Sequence, residues 1–223
     1  MCQRYVIPDR LAAEREFMPT TAWWNFGAKF NVSPEQYVPA IRLHEDASEG
    51  VMLRWGLIPA WVKTRPTGPA QACVSSSRIE HSKNVSSPWT ERRRCILPMA
   101  GFYTWRLTAE KYRQPYFVRL TDRAVFGVAG IWDRWVSEDD DVIESCCVIC
   151  VGPNELMTDL IGPGRSMPAI LRRRDYEVWL RGTPSEAHAV LQPYRALWMH
   201  AYRVSPRINS RTVDDPALIH AAG

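Results

Sequence analysis

Short apolar runs rich in β-branched and aromatic residues recur along the chain: Val51 to Trp55, Cys95 to Leu97, Phe102 to Trp105, Tyr116 to Leu120, Val125 to Trp132 and Val142 to Val151. Runs of this kind predict strands. Helical signals are fewer. Ser33-Pro34-Glu35 opens a short turn. Helices are expected over Pro153 to Ile161, over Asp175 to Leu180 ahead of Gly182, and over Pro184 to Leu191, the last with proline in its first turn and Pro193 beyond its end. Strands outnumber helices and do not alternate with them in βαβ order. The pattern therefore predicts an α+β fold: a curved, mainly antiparallel sheet or barrel-like core with peripheral helices. Proline and glycine punctuate the chain evenly, with no repeat and no linker, so residues 1–223 are expected to form a single domain.

Composition narrows the class. With 223 residues, 46% hydrophobic and 23% charged, the chain falls outside collagen-like, disordered and disulfide-scaffold classes. No run of about 18 apolar residues is present, and the opening MCQRYVIPDR lacks the apolar stretch of a signal peptide. The expectation is a cytoplasmic protein without a membrane partner, whose six cysteines are reduced thiols. The net charge is only +4, yet 24 of the 28 basic residues are arginine. Two readings stand: arginine forks suited to phosphate, or a GC-rich genome that replaces lysine. Aromatics interleaved with arginine, as in Arg54-Trp55 and Trp105-Arg106, are either base-stacking platforms or core.

Metal chemistry finds no support. Cys146 and Cys150 on one strand would stand about 13 Å apart, too far to share a zinc ion, and the five histidines show no paired ligand spacing. Walker A, HExxH and GxSxG signatures are absent, and no cofactor is implied. Cys2 is different. It follows the initiator methionine, and methionine removal would leave an α-amine and a thiol on one residue. An α-amine with a pKa of about 7.7 to 8.0 attacks an aldehyde to give an imine, which the thiol closes to a thiazolidine. The plainer reading of Cys2 is a small buried apolar residue at the chain start.

The opening Met-Cys-Gln-Arg-Tyr resembles the MCGRY start of the SOS response-associated peptidase (SRAP) family, and further blocks agree in order. Asn31-Val-Ser-Pro is similar to NxxP, and Met52 to Trp61 (MLRWGLIPAW) to RWGLIPxW. Arg92 to Trp105 (RRRCILPMAGFYTW) is similar to RRCLIPxxGFYEW. Gln114-Pro-Tyr-Phe, Gly130-Ile-Trp-Asp, Met167-Pro-Ala-Ile-Leu and Val204 to Asn209 resemble QPYF, GLWD, the end of HxRMPxIL and VSxxVN. The resemblance spans nearly the whole chain. It implies a single α+β domain that binds single-stranded DNA with abasic sites. The mature N-terminal cysteine would capture the open-chain sugar aldehyde as a thiazolidine crosslink, and the peptidase label would refer to release of residues ahead of that cysteine.

Carried over residue by residue, the resemblance keeps only part of the family's site. Cys2 and Arg4 match, and Arg78 with Glu80 match the arginine and second acid of NARxET. Ser76 stands where the family has its asparagine, and Thr104 stands where it has its catalytic glutamate, so neither supplies the same chemistry. The family's histidine is missing, with Gly162 or Gly164 in its place, and Glu80, Asp159 or a thiol is left to compensate. Cys2, Thr104 and Ser76 thus make up the candidate catalytic set. Arg4, Arg78, Asn31 and Trp61 make up the DNA-binding set. The expected protein is a monomer that crosslinks to abasic single-stranded DNA with weakened proton chemistry. The alternatives are a single-stranded DNA-binding module without catalysis, and a diverged, phage-borne protein whose groove takes another partner.

Overall fold

The structure is a computed structural model that describes residues 3–64 and 71–222. Along the chain the elements are β1 (Tyr5–Ile7), α1 (Arg10–Phe17), β2 (Thr21–Ala22), β3 (Lys29–Val32), β4 (Tyr37–His44), β5 (Ala47–Trp55) and β6 (Cys73–Ser75). There follow α2 (Ser86–Thr90), β7 (Arg94–Met99), β8 (Gly101–Leu107), β9 (Arg113–Leu120), β10 (Phe126–Val136) and β11 (Val142–Val151). The chain continues through α3 (Glu155–Ile161), β12 (Met167–Pro168), α4 (Tyr176–Arg181), α5 (Pro184–Ala189) and β13 (Met199–Arg203). Five of the six apolar runs lie in a strand and the sixth starts one residue ahead of β10, and the three expected helices fall at α3, α4 and α5. Asn154 caps α3 by accepting the Met157 N–H at 2.9 Å, and Thr183 with Glu186 forms a capping box on α5.

Five strands close on themselves. β4 pairs antiparallel with β5 and with β7, β7 pairs with β10, and β10 with β11. The ring is completed where β11 meets β5 in parallel, Ser145 opposite Arg54 and Cys146 opposite Trp55. Closure leaves no open edge among these five strands, and so β11 is buried continuously from Ser145 to Val151. Leu53, Trp55, Leu97, Val128, Ile131, Cys147 and Ile149 lie in its core. The Trp55 indole is fully buried and donates to the Ala72 carbonyl at 2.8 Å, so this tryptophan is core. The cysteines at 95, 146, 147 and 150 are buried free thiols, in keeping with the sequence reading.

A second sheet, in the order β13-β9-β8-β1-β3, holds the start of the chain. β1 lies between β8 and β3, with Tyr5 opposite both Phe102 and Val32. The Tyr103 N–H donates to the Arg4 carbonyl at 3.0 Å, so the residues after Cys2 are tied to the Gly101-Phe-Tyr-Thr-Trp105 strand. Gly101 is required there: a Cβ would stand 2.2 Å from the Phe117 ring. Helix α1 was not expected from the pattern, because only Ala13 of its eight residues is buried; Asp9 starts it by accepting the Ala12 N–H at 2.9 Å.

Candidate functional site

Strand β6 runs parallel to β11, pairing Cys73 with Val148 and Ser75 with Cys150, and then turns into a single 3₁₀ turn over Ser76–Arg78. The Ser75 and Ser77 hydroxyls lie 2.9 Å apart and tighten that turn. A cavity of about 750 Å³ opens against it, lined by Cys73, Ser75, Ser77, Arg78, His81, Cys150 and Ser166. Arg78 is exposed and Ser76 half-buried. Hydrogen bonding with Cys150 brings the Cys73 thiol down to about 7, whereas Cys146, hydrogen-bonded to Cys95 and fully buried, is held well above its ordinary value.

A second cavity of about 300 Å³ is lined by Gln3, Thr104, Trp105, Ile161 and two arginines, Arg113 and Arg165. Consecutive residues of one loop border both cavities, Arg165 the smaller and Ser166 the larger. That loop carries Gly162 at φ 89° and Gly164 at φ 74°, a left-handed backbone that a side chain with a Cβ disfavours. Half-buried Arg4 has its guanidinium pushed below its ordinary value by burial and by the positive charge of Arg211.

The sequence-predicted residues distribute as follows. Cys2 lies outside the described residues. Arg78 borders the larger cavity, and Ser76 sits between two of its lining serines. Thr104 borders the smaller one beside Gln3. Trp61 is 50% exposed with the Lys83 ammonium 3.9 Å above its ring, an aromatic face open to solvent. Asn31 requires correction. It is 3% exposed, and its amide donates to the carbonyls of Ser210 and Val213, both at 2.7 Å, so it holds the C-terminal segment inside the fold and does not face DNA. Glu80 and Asp159 are exposed and line neither cavity, so of the three compensating groups only the thiols reach one. Sequence reasoning missed Arg113, Arg165, Arg211 and His81. Arg165 could have been found from its place two residues before Met167-Pro168, but arginine was treated there as a matter of composition.

Among the described residues, no group of three or more His, Cys, Asp or Glu side chains is arranged to hold a metal ion. None of the helices among the described residues is long and apolar enough to cross a membrane.

Comparison with known proteins bears on this architecture. The chain is 30% identical over 218 residues to the abasic site processing protein YoqW of Bacillus subtilis, covering 96% of this chain and 91% of YoqW. It is 31% identical over 195 residues to YoaM, an abasic site processing protein of the same organism, covering 86% and 84% of the two chains. A crystal structure from Bacteroides thetaiotaomicron superposes with a TM-score of 0.75 at 26% identity, covering 86% of this chain and 85% of that one. One from Bordetella bronchiseptica gives 0.79 at 22% identity, over 92% and 100%, and shows the shared fold. A family model described as SOS response associated peptidase (SRAP) matches residues 1–211. With the match spanning the ring of five strands, the second sheet and both cavities, the chain belongs to the SRAP family.

Proposed function

We propose that this protein processes abasic sites in single-stranded DNA, binding the strand through arginines and capturing the sugar aldehyde with Cys2 once Met1 is removed. The observation that carries the reading is the tie between the segment after Cys2 and strand β8. Arg4 accepts the Tyr103 N–H at 3.0 Å, and Gln3 shares a cavity with Thr104, Arg113 and Arg165. In this reading Arg113 and Arg165 supply phosphate contacts beside Gln3, the residue that follows the candidate nucleophile in sequence. Arg78, at the larger cavity, and Arg4 and Arg211 are the further arginines assigned to phosphate in this reading.

The chemistry proposed for Cys2 is addition of its α-amine to the aldehyde, loss of water to an imine, and closure by the thiol to a thiazolidine. Thr104 has no proton to exchange near neutrality, so removal of Met1 and reversal of the crosslink are slowed more than capture. The reading includes a cytoplasmic monomer acting as one domain over residues 1–223. A second reading, single-stranded DNA binding without catalysis, is favoured by one observation: among the described residues, the smaller cavity is lined by Thr104 and arginines and by no carboxylate or histidine.

One experiment separates the two. Untagged protein is incubated with an abasic single-stranded oligonucleotide and with its intact counterpart, binding is read by fluorescence anisotropy at low salt, and both samples are then run on a denaturing gel. An adduct confined to abasic DNA and lost in Cys2→Ala supports capture. Binding without adduct supports the second reading, and absence of binding at low salt overturns both.

A further inference from the structure

The larger cavity brings together two thiols, a guanidinium and an imidazole. Cys73, Cys150, Arg78 and His81 all line it, and the family resemblance assigned a role only to Arg78. Of the five described cysteines, Cys73 alone is half-buried; Cys95, Cys146, Cys147 and Cys150 are buried. The parallel pairing of β6 with β11 sets Cys73 opposite Val148 and so puts Cys150, two residues on, on the same face of the sheet as Cys73. The two thiols are hydrogen-bonded, which favours the thiolate of the one that solvent can reach. A thiolate so placed is a soft nucleophile facing a space of about 750 Å³.

We propose that Cys73 is a second nucleophile of this site, adding through sulfur to α,β-unsaturated aldehydes delivered into the larger cavity. Such an aldehyde is what an abasic deoxyribose becomes when β-elimination expels its 3′-phosphate, so this part of the proposal rests on the DNA reading above. The thiol proton leaves to solvent. The sulfur lone pair forms a C–S bond to the β-carbon, and the C=C π pair moves through the enolate to the α-carbon. That carbon then takes one proton from Cys150, His81 or water. The product is a thioether that keeps its aldehyde; nothing is oxidised or reduced, and no group leaves. Arg78, bordering the same cavity, is the counter-charge for the 5′-phosphate that remains on the eliminated fragment.

The test uses full-length protein, crotonaldehyde as the small probe, borohydride to fix the adduct, and peptide mass mapping. The expected result is that one crotonaldehyde adds at Cys73 and persists in Cys2→Ala, while Cys95, Cys146 and Cys147 are modified only after denaturation. Cys150→Ala, which removes the hydrogen-bonding thiol, slows addition at Cys73 about tenfold at neutral pH, because less of the sulfur is thiolate. Cys73→Ser abolishes addition at that position. A Cys73 that reacts no faster than the buried thiols, or whose modification disappears in Cys2→Ala, overturns the proposal. A second arm uses a single-stranded oligonucleotide ending in the eliminated abasic sugar. A thioether at Cys73 supports the assignment, and an oligonucleotide that binds yet leaves Cys73 unmodified overturns it for DNA. Failure of that oligonucleotide to bind falls on the DNA reading, and the crotonaldehyde arm then decides on Cys73 by itself.

Discussion

The backbone N–H of Ala60 donates to Asp133 Oδ2 at 2.8 Å, joining two stretches that lie 73 residues apart. The Asp133 carboxylate is 2% exposed; its other oxygen accepts from the Arg134 N–H at 2.9 Å and is ion-paired with Arg93. Nearby, Ser145 Oγ accepts the Ile58 N–H at 2.8 Å and the Trp135 indole donates to the Val62 carbonyl at 2.7 Å. The segment that presents Trp61 is thus held by three side chains from β10 and β11.

Removing Asp133 strands the Ala60 N–H and leaves Arg93 paired with Glu91 alone. Asp133→Ala is expected to cost about 3 kcal/mol of stability, and Asp133→Asn about half that, since an amide oxygen still accepts from Ala60. Urea unfolding monitored by circular dichroism checks both values, and equal stability of the three proteins would refute the account.

Arginine contacts to phosphate release counterions, so affinity for single-stranded DNA is expected to fall with salt at a slope near 0.7 per phosphate neutralised. Arg78→Ala and Arg4→Ala should each weaken binding across sequences and flatten that slope by about one contact. Fluorescence anisotropy over a salt series measures this. Slopes unchanged in both variants would remove these residues from the DNA surface.

Thr104→Glu places a carboxylate in the cavity that Arg113 and Arg165 line, where their positive charge favours its ionised form. Because a positioned acid or base contributes roughly 10² to 10⁴ in rate, Met1 removal and crosslink reversal should accelerate in this variant. Intact mass against time, for wild type and variant side by side, gives the comparison. A wild type already as fast as Thr104→Glu would show that another group carries the proton.

Restoring a histidine in the Gly162–Gly164 loop should fail for a conformational reason. With φ of 74°, Gly164→His carries about 1 kcal/mol of backbone strain. Its unfolding midpoint in urea should drop, while Ser166→His, in the same loop, should not show that loss. A Gly164→His protein as stable as wild type would mean that the loop is not held in its left-handed form.

Cys73 also links stability to pH. Its thiol sits near 7 in the fold, below the value of about 8.5 for an unperturbed cysteine. A depressed acid contributes stability that is fully present above about pH 8.5 and is lost as pH falls through about 7. The stability of wild type relative to Cys73→Ser should therefore rise between about pH 6 and about pH 9. Paired urea titrations at those pH values measure it; a constant difference would contradict the hydrogen bond to Cys150 as the cause.

Much of this architecture is legible in the sequence because its strands are short, apolar and flanked by breakers. The runs Val125 to Trp132 and Val142 to Val151 pair with each other as neighbours joined by a turn, which local pattern captures. Ring closure is different. It depends on Arg54 and Trp55 meeting Ser145 and Cys146 in parallel, some ninety residues away, and no periodicity encodes that partner. Asn31 shows the limit for the site. A polar residue in a family block reads equally well as a contact for a ligand or as a buried clamp, and only its placement against Ser210 and Val213 decides. In the sequence Cys73 is indistinguishable from the four cysteines at 95, 146, 147 and 150; the cavity beside it sets it apart.

The same clamp makes the two ends of the chain answer to each other. Asp214 accepts the N–H groups of Phe30 and Asn31, at 2.6 and 3.0 Å, on the strand that pairs with β1. These bonds lie beyond residue 211, where the family match stops. Trimming the tail back to that point would unseat β3, loosen β1, and be felt near the opposite terminus, at Gln3 and Arg4.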